Sequence, residues 1–224
     1  MNASVLDEAA LRRRMAESAR RLIELGLNRG TSGNIGVRCN EGLLVTPSGM
    51  PIDDMTPESM VRLDINGHTA SRFRPSSEWR IHRDILAARP EISAVVHTHA
   101  TFATTLACQQ LEIPPFHYMI AAAGGDTIRC APYALFGSQA LSDAALTALE
   151  QRKACLLAHH GMIALGRDLD EALAIAVEVE ALCEQYWRVL QIGTPKILTE
   201  AQMHEVIEQF SRYGQWAANT SSTD

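Results

Sequence analysis

Residues 94–101 read AVVHTHAT, an apolar run that ends in two histidines separated by one threonine. Ile92 to Val96 is short and rich in β-branched residues, which predicts a buried strand over 92–98. Side chains alternate across a strand with period two, so His97 and His99 point to the same side. Two imidazoles side by side are half of a metal site, and the rest of the chain must supply the other ligands.

His159 and His160 follow a second apolar run, ACLLA, and precede Gly161. Alternation places that pair on opposite faces, so one of the two joins His97 and His99. A lone histidine is usually a hydrogen-bonded core residue. Two such pairs at two strand ends point instead to a metal. Glu78 is the natural fourth partner, in the first turn of a helix read from PSSEWRIHRDILAARP with Ser76 or Ser77 as N-cap. His82 lies one turn further along that helix and competes as a ligand; spacing does not choose between them.

The remaining pattern frames these motifs in a mixed α/β domain. A helix over 7–25 carries Leu11, Met15, Leu22 and Leu25 on one stripe, and CNEG joins strands at 35–38 and 43–46 as a hairpin. A strand covers 60–64, a helix 101–109, and residues 114–137 read as irregular with a short helix. A helix over 138–151 leads into strand 154–158, and MIAL forms its hairpin partner. The longest helix starts from Asp168 as cap, and Thr199 with Gln202 forms a capping box for a last helix to Ser211.

The 224 residues fit one domain, with a polar tail at 214–224. A net charge of −6 argues against a nucleic-acid partner, and no apolar run reaches the length of a membrane span. Five scattered cysteines without a C-x-x-C pair, and no signal-peptide pattern at the N-terminus, are what a reducing cytoplasm would contain. Three small, polar clusters, RGTSGNIG (29–36), TPSG (46–49) and PSS (75–77), are suited to hold a phosphate by N–H and hydroxyl groups beside Glu78. The H-x-H motif also begins amidohydrolase barrels and metallo-β-lactamase-like hydrolases. The first are longer, the second need Asp-His where this chain has Thr101-Phe102, and cupins are nearly all-β.

GTSGNIGVR, TPSG, PSSEWRIH, AVVHTHA, HYMIAAAGGD, APYALFGS and LLAHHGMIALG occur in that order, and the set resembles the class II aldolase/adducin family from about Leu11 to Tyr213. The resemblance implies a single three-layer αβα domain over 1–213 with a mostly antiparallel sheet, and a homotetramer with active sites between subunits. It implies zinc, replaceable by cobalt or manganese, on Glu78, His97, His99 and His160. Thr31, Asn34, Ser48, Gly49, Ser76 and Ser77 would surround a sugar phosphate, with Phe136 on the aldehyde side. Tyr118 from a neighbouring subunit and Tyr213 from the C-terminal region would complete the catalytic set with Glu78.

The implied reaction is retro-aldol cleavage of a ketose 1-phosphate, such as L-fuculose 1-phosphate or a 5-deoxy- or methylthio-ribulose 1-phosphate, to dihydroxyacetone phosphate and an aldehyde. The alternative is a dehydratase, decarboxylase or 4-epimerase using the same metal. The epimerase reading is disfavoured because those members carry Asp at the position of Glu78. The chain has only two lysines, Lys153 and Lys196, and neither lies where a Schiff-base lysine would be buried and activated.

Overall fold

The computed structural model describes residues 8–40 and 42–212, with side chains up to 210. Tyr213 and the 214–224 tail lie outside the described residues. The strand read from AVVHTHAT forms as β4 (Ala94–Thr98), and all five of its residues are buried. It runs between β1 (Asn34–Cys39) and β7 (Gly161–Gly166), antiparallel to both. β2 (Gly42–Val45) and β3 (Val61–Asp64) extend the sheet on one side, β6 (Ala154–Leu157) and β5 (Cys130–Ala131) on the other, in the order β3-β2-β1-β4-β7-β6-β5. Among the described residues only the β5–β6 pair is parallel, so the sheet is mixed though dominated by antiparallel pairs.

Alternation along the strands builds two cores. Ala94, Val96, Met162 and Ala164 face Leu22 of α1 (Glu8–Glu24), Leu106 of α3 (Thr101–Cys108) and Leu182 of α5 (Leu169–Ile192). Val95, Ile163 and Leu165 face Ile81 and Ile85 of α2 (Trp79–Ala88) and Leu141 and Ala145 of α4 (Gln139–Ala148). Helices therefore cover both faces, which is the expected three-layer arrangement. Each large apolar side chain buried this way contributes about 1.5–3 kcal/mol. α6 (Glu200–Arg212) follows the expected capping box, with Thr199 N–H donating to Gln202 Oε1 at 2.9 Å and Gln202 N–H to Thr199 Oγ1 at 3.3 Å.

Several local expectations need correction. Leu25 lies past the end of α1 and is 37% exposed, so the buried stripe is Leu11, Met15, Ala16, Ala19 and Leu22. β5 arises inside the stretch read as irregular, because two residues are too few to carry a period. Neither Ser76 nor Ser77 caps α2. Glu78 occupies the N-cap position with φ −99° and ψ 17°, and its carboxylate makes no cap bond. Ser76 Oγ instead accepts the Glu78 N–H at 3.2 Å, which holds the loop out of the helix and frees the carboxylate to turn inward. His99 falls just past β4, and His159 and His160 occupy the tight turn between β6 and β7 rather than a strand.

Candidate metal centre and active site

Val95 and His97 share the sheet face covered by α2, and Asn34 of β1 is the register partner of His97. His99 enters from the end of β4 and His160 from the β6–β7 turn, where Gly161 leaves room. A Cβ at Gly161 would lie 2.3 Å from Thr98 O and 3.1 Å from the His99 ring. The three rings stand edge to face with centroids 4.8–4.9 Å apart. One nitrogen from each of His97, His99 and His160 lies within 4.8 Å of the others, a group that could hold a metal ion. His159 is not part of it.

The hydrogen bonds show what such a group requires. His97 Nδ1 is 2.9 Å from Met162 O, and a carbonyl can only accept, so Nδ1 carries the proton and Nε2 presents a lone pair. That Nε2 lies 3.0 Å from His99 Nε2 and 3.2 Å from Glu78 Oε2. Glu78 Oε1 is 3.3 Å from His160 Nε2 and has no hydrogen-bond partner among the described residues, although Glu78 is only 5% exposed. Lone pairs and a carboxylate crowded together in a buried site are the donor set of a divalent cation, and the residues fit one.

The charges are coupled accordingly. Burial alone would push the Glu78 carboxyl up, but His97, His160 and the Asn34 amide overcome it and hold the group well below the usual carboxylate range. Burial lowers His97, and the Glu78 carboxylate more than restores it, with a net upward shift. His99 and His160 are each pushed down to about 4, first by burial and then by the positive charge that His97 would carry if protonated. Both therefore remain neutral and ligand-competent near neutrality.

Glu78, His99 and His160 also line a cavity of about 370 Å³. The three polar clusters meet on its wall, bringing together Thr31, Asn34, Ser48, Gly49, Ser76 and Ser77. TPSG and PSS are held side by side by a bridge between Pro47 and Pro75, with Ser48 N–H donating to Arg74 O and Ser76 N–H to Thr46 O. Gly49 sits at φ +66°, a conformation in which most side chains are strained. Among the described residues the lining includes no lysine or arginine, so an anion there meets hydroxyl and N–H donors.

Phe136 forms part of the rim and is 63% exposed. Tyr118 starts a 3-10 helix (Tyr118–Ala123), is 51% exposed and is not among the residues that line this cavity. Tyr133 and His159 line the cavity as well and were not singled out as site residues from sequence. His159 lies at φ +57°, unusual for a non-glycine residue, and its ring nitrogen is 3.1 Å from Gln110 Nε2. The H-H-G motif signalled a turn at this point, but no local pattern signals Tyr133. His82 is not among the three converging imidazoles: it is wholly buried behind the site, with Nε2 2.5 Å from Asn34 Oδ1.

The chain is similar to known proteins over most of its length. The chain is 56% identical over 205 residues to a Rhodospirillum rubrum protein named 5-methylthioribulose-1-phosphate/5-deoxyribulose-1-phosphate aldolase, covering 92% of this chain and 93% of the other. It is 43% identical over 210 residues to the L-fuculose phosphate aldolase of Escherichia coli K12, covering 93% and 98%. A solved structure titled L-fuculose 1-phosphate aldolase superposes with a TM-score of 0.87 at 34% identity, covering 94% of this chain and 98% of that one. The family model described as Class II Aldolase and Adducin N-terminal domain matches residues 13–187. With that match over most of its length, the chain belongs to the class II aldolase and adducin N-terminal domain family.

Proposed function

We propose that this chain is a zinc-dependent aldolase that cleaves a ketose 1-phosphate between C3 and C4, giving dihydroxyacetone phosphate and an aldehyde. The observation that carries the reading is the position of Glu78. This buried carboxylate lies 3.2 and 3.3 Å from two of three converging imidazoles, on the wall of a cavity lined by neutral anion-binding groups. The relatives named for aldolase activity on ketose 1-phosphates support the substrate class.

His97, His99 and His160, with Glu78 as the fourth donor, would hold the ion; three imidazoles suit zinc, and cobalt or manganese could replace it. When bound, the ion supplies Lewis-acid polarisation of the substrate carbonyl. The hydroxyl and N–H groups of Thr31, Ser48, Gly49, Ser76 and Ser77 bind the phosphate and set the sugar's register, and Asn34 contributes from the same wall. Loss of the C4 hydroxyl proton breaks the C3–C4 bond, leaving the electron pair on the C3 side and a carbonyl at C4. Glu78, having taken up a proton from solvent in exchange for the one lost at C4, then delivers it to C3, completing dihydroxyacetone phosphate.

Tyr118 is assigned to the C4 oxygen. Its exposure away from its own cavity supports service to a neighbouring subunit's site in a homotetramer. Tyr213 is assigned the same neighbourhood. Phe136 and Tyr133 make an apolar rim, which favours an aldehyde ending in methyl or thioether. One such contact is worth about 1–3 kcal/mol, so neighbouring sugars overlap as substrates. Among the described residues no helix is long and apolar enough to cross a membrane, and all five cysteines are free, which supports a cytoplasmic assignment.

The test is purification with elemental analysis, followed by a coupled assay for dihydroxyacetone phosphate across fuculose, ribulose, 5-deoxyribulose and methylthioribulose 1-phosphates. About one zinc per chain and release of dihydroxyacetone phosphate, fastest with 5- or 6-deoxy sugars, is expected. Cleavage by metal-free protein, or inversion at C4 without cleavage, overturns the reading.

A further inference from the structure

Behind Glu78 lie two buried polar side chains, Asn34 and His82, and the proposed chemistry gives no part to the bond between them. Asn34 Nδ2 donates to Glu78 Oε2 at 2.9 Å, and Asn34 Oδ1 is 2.5 Å from His82 Nε2. Asn34 is 8% exposed and His82 is fully buried. The direction of every bond is determined. A carboxylate only accepts, so the Asn34 amide nitrogen faces Glu78 and its oxygen faces His82. An amide oxygen also only accepts, so His82 Nε2 carries the proton. His82 Nδ1 is then a bare acceptor, and it has no hydrogen-bond partner among the described residues.

A buried ring nitrogen without a partner costs folding free energy, and an aliphatic side chain there would avoid that cost. The neighbouring sheet is also shaped for this ring. A Cβ at Gly36 would lie 2.5 Å from His82 Cγ and Nδ1, so glycine in β1 lets the imidazole lie against the backbone. Burial drives the ring down to about 3, keeping it neutral and able to donate from one nitrogen only.

We infer that His82 is a positioning residue for Glu78, acting through Asn34. By occupying Oδ1 it fixes the amide so that Nδ2 faces the carboxylate, rather than leaving Asn34 free to rotate toward an anion in the cavity. One N–H of the amide is spent on Glu78. The other remains for the cavity wall that Asn34 also lines, so this residue joins the phosphate end of the site to the proton carrier. The inference rests on the proposed role of Glu78 in proton transfer.

The experiment compares His82→Leu with His82→Gln in the full chain loaded with zinc. Leucine removes the donor, whereas glutamine offers an amide N–H at the position of Nε2. His82→Leu trades the orphaned ring nitrogen for an orphaned Asn34 Oδ1, so its melting temperature and zinc content should match the parent's. Its kcat should fall by about 10–100-fold with KM little changed, and His82→Gln should recover most of the loss. An unchanged kcat in His82→Leu, or a fall that tracks lost zinc or lost stability without rescue by glutamine, overturns the inference. The ¹⁵N spectrum of histidine-labelled parent protein tests the same point without turnover: His82 must show a protonated Nε2 and an unprotonated Nδ1, and the opposite tautomer refutes it. A parent that cleaves no ketose 1-phosphate refutes the proposed reaction instead, and the tautomer measurement still decides the relay.

Discussion

Replacing Glu78 by glutamine separates proton transfer from metal binding. The side chain keeps its size, and its amide oxygen can stay on Asn34 Nδ2, now 2.9 Å from Glu78 Oε2. The amide nitrogen then takes the place of Oε1, which is 3.3 Å from His160 Nε2. His97, His99 and His160 still converge, so zinc should remain near one per chain. The amide cannot carry a proton to C3. General acid–base steps are worth about 10²–10⁴-fold, so kcat should fall by that factor, or about 2.7–5.4 kcal/mol of barrier at 1.36 kcal/mol per decade. KM should change only severalfold, because the phosphate donors are untouched. The assay is coupled detection of dihydroxyacetone phosphate on protein of measured zinc content. A zinc-loaded variant within tenfold of parental kcat removes Glu78 as proton carrier. Loss of zinc in proportion to activity shows instead that its main part is as a ligand.

The other predictions concern the ligands, the assembly and acid stability. His97→Ala, His99→Ala and His160→Ala should each strip most of the metal, while His159→Ala, whose ring pairs with Gln110, should retain it; elemental analysis distinguishes them. Inactive Tyr118→Phe and Glu78→Gln chains, mixed and reassembled, should regain partial activity, and well-mixed oligomers that stay inactive would exclude a shared site. Glu171 accepts from Lys153 Nζ at 2.8 Å and from Arg167 N and Nε at 2.7 and 2.8 Å. Burial would raise its carboxyl, but these donors bring it down to about 2 from an ordinary 4.5. A depressed carboxyl stabilises the fold above its unfolded value and loses that contribution as pH falls through the folded value. Glu171→Gln should therefore cost about 1 kcal/mol near neutrality, after screening, and progressively less between about pH 4.5 and 2; urea titrations that show the same deficit at every pH would contradict this.

Where a period or a cap dictated the element, the sequence was readable. The alternation in AVVHTHAT identified β4, the Asp168 cap began α5, and the pair Thr199 and Gln202 began α6. His97 and His99 were legible from strand alternation, whereas alternation left His159 and His160 open and only the family resemblance pointed to His160. Glu78 was legible as a residue but not as a conformation. Ser76 and Ser77 look like caps, whereas the structure holds them on the cavity wall and leaves Glu78 to start the helix. His82 could not be separated from a ligand by spacing, because its choice of Asn34 over a metal depends on the register that sets β1 beside β4 and on the room left by Gly36. Tyr133 reaches the cavity through tertiary packing that no local pattern encodes.

The central claim is that C3–C4 cleavage is completed by a proton delivered from Glu78, and solvent isotope labelling tests it most directly. Zinc-loaded protein is incubated with 5-deoxyribulose 1-phosphate in D₂O, and the phosphate-containing product is read by NMR. The account predicts dihydroxyacetone phosphate with one deuterium at C3 in a single stereochemical position, formed far more slowly by Glu78→Gln. A C4-inverted ketose without dihydroxyacetone phosphate, or equal labelling by the parent and Glu78→Gln, would contradict it.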